Sequence, residues 1–99
     1  MKVKLYFSGG SEILFGNIKE HKVILENSST QWTIKDLLSW ISNNLLKDSD
    51  RSELLIVNEN VRPGILVLVN DVDWEILGGL DAEINDGDVV SFISTLHGG

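Results

Sequence analysis

Cysteine is absent from this chain, which excludes disulfide bridges, thiolate metal sites and thiol nucleophiles from its own chemistry. Any sulfur it handles has to be drawn from a thiol on another molecule, and the absence fits a reducing compartment. Basic residues are scarce as well: eight Lys and Arg face fifteen Asp and Glu, for a formal charge of −7. The average field repels a phosphate backbone, so direct binding to nucleic acid is not expected; attraction to basic protein patches is. Histidine occurs only as His21 and His97. With scattered carboxylates besides, no nucleophile and base stand at motif spacing, and the chain is expected to be neither an enzyme nor the holder of a metal or cofactor. No apolar stretch approaches the ~20 residues that cross a bilayer, and Met1-Lys2-Val3-Lys4 leads into an alternating strand rather than a signal-peptide core. The expectation is a cytoplasmic protein without membrane contact.

What is present is ordinary for one folded domain: 99 residues, 42% hydrophobic and 23% charged. Val3, Leu5 and Phe7 alternate with Lys2, Lys4, Tyr6 and Ser8, the period of a strand with one buried face. Gly9-Gly10 marks a turn, and His21 to Glu26 reads as a second strand able to pair with the first. Ile34, Leu37, Leu38, Ile41 and Leu45 then recur at helical spacing, with Thr33 placed as N-cap, Asp36 in the first turn and an end near Lys47. Trp32 and Trp40 are read as packing residues. Asp48 to Ser52 is a loop, and Leu54 to Val57 fits either a short strand or a helical turn. After the turn Arg62-Pro63-Gly64, the unbroken Ile65 to Val69 suits a strand buried on both faces. Asp73 to Leu77 can return as a short strand, and Asp86-Gly87 turns into a final strand from Val89 to Leu96. The order implies an α+β fold with one helix across a mixed sheet of about four to five strands. Asp71, Asp73 and Glu75 read as the wet side of a hairpin rather than a metal site.

The chain stops at Gly98-Gly99. Two residues without Cβ make a thin thread that a narrow enzyme cleft could grip through its backbone; by position alone they fit a frayed chain end equally well. Three strings add to this: Arg62 to Glu75 (RPGILVLVNDVDWE), Asp86-Gly87-Asp88, and Ser94 to Gly99 (STLHGG). Together with Leu14-Phe15-Gly16-Asn17 and the tryptophan-bearing helix, they resemble the ubiquitin-related modifier family over essentially the whole length. The resemblance implies a β-grasp fold with adjacent, parallel first and last strands, a domain over 1–95, and a flexible tail over 96–99.

It also implies that Gly99 is the functional residue, its terminal carboxyl becoming a thiocarboxylate, with Leu96, His97 and Gly98 forming the tail that a partner reads. A terminal carboxyl is ionised at neutral pH and a poor electrophile. The family solution is an activating adenylyltransferase and sulfurtransferase that uses ATP and magnesium. The implied outlets are 2-thiolation of the wobble uridine of transfer RNA through a separate thiolase complex, and conjugation to lysines of target proteins, peroxiredoxins among them. The carrier itself is expected to be monomeric. In place of the basic residues that precede the double glycine of ubiquitin, this chain has Thr95-Leu96-His97, which argues against ubiquitin's own activating enzyme. Two alternatives share the fold: the small sulfur-carrier subunit of a molybdopterin synthase, and a ubiquitin-like docking module with an inert tail.

Overall fold

Alternation in the first residues seats the central part of the sheet. Val3, Leu5 and Phe7 of β1 (Lys2–Ser8) are buried on one side, while Lys2 and Tyr6 are exposed on the other. The computed structural model describes residues 1–26 and 30–95. In it β1 pairs antiparallel with β2 (Glu20–Ile24), Val3 opposite Val23 and Leu5 opposite His21. The connection between them is not a simple turn. A 3₁₀ turn over Ser11–Phe15 fills it and carries Phe15 onto Phe7, with ring centroids 3.9 Å apart. Sequence reading overlooked this turn because five residues are too few to display a helical period.

Helix α1 (Ile34–Asn44) starts at the expected Thr33 cap but ends at Asn44, not near Lys47, with Leu45 as its C-cap, whose amide donates to the Ile41 carbonyl. The Asp36 amide donates to Thr33 Oγ1 at 3.4 Å and the Thr33 amide donates to Asp36 Oδ2 at 3.0 Å, a reciprocal box that satisfies two otherwise orphaned donors. Ile34, Leu37, Leu38 and Ile41 form its buried stripe. Each such side chain contributes roughly 1.5–3 kcal/mol on leaving water. Trp32 and Trp40 pack, half-buried, against the same core, and the Trp32 indole donates to the Glu26 carbonyl at 2.9 Å.

Past the helix, Ser52–Leu54 makes a 3₁₀ turn leading into β3 (Ile56–Val57), which pairs with β4 (Asn60–Val61) as a separate two-stranded ladder. Both readings of Leu54 to Val57 are therefore realised in succession. β5 (Ile65–Val69), β6 (Val72–Asp73) and β7 (Val89–Ser94) complete a five-stranded sheet in the order β2-β1-β7-β5-β6. β7 runs parallel to β1 and antiparallel to β5. The mixed sheet, the single helix and the parallel first and last strands are as expected.

Four expectations about the strands need correction. β5 is not buried on both faces: Ile65, Val67 and Val69 are buried, but Leu66 and Leu68 lie half-buried on the outer side. Asp73 to Leu77 is not a strand, because pairing stops at Asp73 and Trp74–Leu77 coils into a 3₁₀ turn. Asp73 itself is responsible, since its carboxylate accepts from the Glu75 amide at 2.9 Å and caps that turn. The second strand runs Glu20–Ile24 rather than from His21 to Glu26, and the last ends at Ser94.

Candidate functional site

The expected site residues Leu96, His97, Gly98 and Gly99 lie outside the described residues, so the site is built from the strand that leads to them. β7 lies inside the sheet, flanked by β1 and β5, with Val90 and Phe92 fully buried. Its entry is tied by side chains. The Lys2 amide donates to Asp86 Oδ1 at 2.6 Å, and the Gly87 amide donates to the Lys2 carbonyl at 2.7 Å. Asp88 Oδ2 accepts from the Asn85 amide at 2.8 Å, while its Oδ1 accepts from Asn70 Nδ2 at 2.9 Å. Asn70 Oδ1 in turn accepts from the Val89 amide at 2.9 Å. The Asp86-Gly87-Asp88 string, expected as a turn and as one of the family strings, is thus a fastening that holds the start of β7 against both neighbouring strands.

The exit is tied as closely. The Thr95 amide donates to the Gly64 carbonyl at 2.9 Å, and the Thr95 hydroxyl donates to the same oxygen. On the other side Gly9, at φ 70°, lies so near that a Cβ there would collide with the carbonyl oxygen of Ser94. Gly9 is glycine for two reasons: the left-handed backbone and the close approach of a neighbouring strand. Beneath this contact Ser11 is buried, its hydroxyl 2.9 Å from the Phe92 carbonyl and 3.0 Å from that of Ser8. Gly9, Ser11, Gly64 and Thr95 together form a collar around the last described turn of chain. Gly9-Gly10 and Arg62-Pro63-Gly64 are expected as turns, and the collar is not visible in the sequence because the two segments come together only through β7, which pairs parallel with β1 and antiparallel with β5.

The outer sheet face beside the collar carries an apolar strip. Tyr6, Ser91 and Leu68 stand in one cross-strand row, and Ser8, Ile93 and Leu66 in the next. His21, the histidine within the described residues, is structural: its ring lies edge-on to Phe7 and Phe15 at 5.4 and 5.3 Å, and Nε2 donates to the Ile18 carbonyl at 2.9 Å. The collar and strip hold no paired nucleophile and base. The arrangement fixes the point at which the chain leaves β7, on the backbone of Ser94 and Thr95.

A mixed five-stranded sheet whose last strand lies inside, parallel to the first, is a β-grasp arrangement, and the sequence comparison decides the family. The profile of the family described as Urm1 (Ubiquitin related modifier) matches residues 2–99. The chain belongs to the ubiquitin-related modifier family. Ubiquitin-related modifier 1 of Homo sapiens is 54% identical over 99 residues, which cover 100% of this chain and 96% of the human protein. The homologue of Drosophila simulans is 52% identical over 99 residues, covering 100% of this chain and 95% of the fly protein. Among solved structures, Urm1 from Trypanosoma brucei superposes with a TM-score of 0.76 at 37% identity, covering 99% of this chain and 95% of that one. Membership in the ubiquitin-related modifier family makes the protein a ubiquitin-like modifier of β-grasp fold, not a catalyst in its own right.

Proposed function

We propose that the protein is a cytoplasmic sulfur carrier and protein modifier whose reactive group is the terminal carboxyl of Gly99. The observation that carries this reading is the family match, which runs through residue 99. The collar supports it, because Thr95 and Ser94 are fixed on the sheet and the four following residues span at most ~14 Å when extended. A partner that docks the globule then holds the carboxylate at high local concentration in its own active site.

The chemistry proceeds on that partner. A carboxylate oxygen of Gly99 attacks the α-phosphorus of ATP and expels pyrophosphate, giving an acyl adenylate. Magnesium and basic side chains of the partner stabilise the charge developing on phosphate. The terminal sulfur of a partner cysteine persulfide attacks the acyl carbon and AMP leaves. A second partner thiol cleaves the resulting acyl disulfide, forming an enzyme disulfide and releasing the Gly99 thiocarboxylate. In this reading the sulfur goes to the wobble uridine of transfer RNA on a separate thiolase, which supplies the cationic surface that a chain of charge −7 lacks. A lysine amine attacking the same activated carbonyl yields conjugation to target proteins, peroxiredoxins among the candidates.

The test compares the chain with a version extended by one alanine after Gly99, each incubated with the adenylating enzyme and ATP while pyrophosphate release is followed. Release from the parent and none from the extended chain is expected. Equal release from both would overturn a mechanism at Gly99.

A further inference from the structure

Charge is divided unevenly along this chain. All eight Lys and Arg residues lie between Lys2 and Arg62, where an equal number of carboxylates balances them. Residues 63–99 carry seven Asp or Glu and no Lys or Arg, so the whole formal charge of −7 arises in that last third. The fold places much of it at one sheet edge. β6 and the Trp74–Leu77 turn lie beyond β5, and a further 3₁₀ turn, Gly79–Asp81, leads on to Glu83, which bridges to Thr33 at the start of α1. Asp71, Glu75, Asp81 and Glu83 are exposed. The one ion pair among the described residues, Lys4 with Glu20, belongs to β1 and β2 at the opposite edge.

Within this acidic segment three apolar side chains face water. Ile76 is 79% exposed, the most of any large hydrophobic residue described, with Leu77 at 44% and Val72 at 40%. They are displayed on a braced turn. Asp73 caps its start, Gly78 closes it at φ 112° with its amide on the Glu75 carbonyl, and Trp74 packs on the core. A preorganised apolar projection loses little conformational freedom on binding, and such projections act as anchors in interfaces. Ile13, Ile18 and Ile24, the other strongly exposed isoleucines, lie in the N-terminal part where charge is balanced.

We infer that the β6 corner, with Ile76 and Leu77 at its tip, is a docking knob for a protein surface that offers an apolar notch rimmed by Lys and Arg. Resting on the function proposed above, the inference assigns that surface to the adenylating enzyme. The carboxylates choose a cationic rim and speed encounter, and the isoleucine and leucine supply affinity once seated. The knob holds the globule outside the active site while the tail, leaving from the collar, enters it.

The experiment measures binding of the adenylating enzyme to the full chain and to a chain lacking Gly98 and Gly99, then steady-state activation of the full chain. One variant carries Ile76→Ser with Leu77→Ser; a second, which keeps every apolar group, carries Asp71→Asn, Glu75→Gln and Asp81→Asn. Both are expected to melt like the parent. The apolar variant is expected to weaken binding about tenfold or more, with or without the glycines, and to raise KM by a similar factor while kcat at saturation holds. The charge variant is expected to flatten the fall of affinity with salt. Parent-like binding, KM and salt dependence in both variants would overturn the knob. Loss of binding in the corner variants while the parent binds but is never adenylated would sustain the knob and refute the proposed function; normal adenylation with a KM indifferent to the corner would do the reverse.

Discussion

At the scale of single residues, the position that most constrains the site is a glycine remote from it in sequence. Gly9 combines a φ of 70° with backbone contact to Ser94, so a methyl group there meets both a disfavoured conformation and the backbone carbonyl oxygen of a residue paired into the sheet. Replacement Gly9→Ala is expected to cost of the order of 1–3 kcal/mol in chemical denaturation, beyond the entropic gain that alanine brings to the unfolded chain. The sharper outcome is functional: displacing Ser94 moves the origin of the tail, and kcat for activation is expected to fall even where the protein remains folded. A Gly9→Ala protein with unchanged stability and unchanged kcat would contradict the collar. Nothing local in the sequence marks Gly9 for this role. It stands in a Gly9-Gly10 pair that any turn would explain, and only the parallel pairing of β1 with β7 brings it against Ser94.

At the scale of elements, what was legible depended on length and period. The α1 stripe and the Thr33 cap were readable because apolar residues recur at helical spacing over eleven residues and the capping chemistry is local. Thr33→Ala is expected to lower stability by about 1 kcal/mol, visible as a lower denaturation midpoint with an unchanged slope. β5 misled for the opposite reason: five apolar residues in a row carry no alternation, so the exposure of Leu66 and Leu68 could not be seen before their neighbours were known. The Trp74–Leu77 turn was hidden because its start is set by one side-chain bond from Asp73. Between β3 and β4 the turn residues Asn58 and Glu59 both adopt positive φ, 52° and 66°. Asparagine tolerates that region and glutamate does not. Glu59→Gly is therefore expected to stabilise the protein by about 0.5–1 kcal/mol, read as a raised melting temperature; a loss of stability would show that Glu59 makes a compensating contact.

At the scale of the whole molecule, the proposed function separates a β-grasp frame from the reactive chain end. The frame was legible in the order of strand, helix and turn signals, and the family strings sharpened it to a topology that periodicity alone does not supply. The collar and the acidic corner were not legible as surfaces, since each joins segments far apart in sequence: Gly9 with Ser94, Glu83 with Thr33. The division of labour is a claim about separability: the globule's fold should be indifferent to changes beyond Gly99, whereas its chemistry should not be. Extension by a single alanine is expected to leave thermal unfolding within about 0.5 kcal/mol of the parent. The measurement that tests the central claim most directly is the intact mass of the chain after incubation with its adenylating enzyme, ATP and a sulfur donor, with fragmentation to place the change. Exchange of one oxygen for sulfur, confined to the Gly99 carboxyl and absent from the alanine-extended chain, is expected. An unaltered mass, or sulfur bound anywhere else, would contradict it.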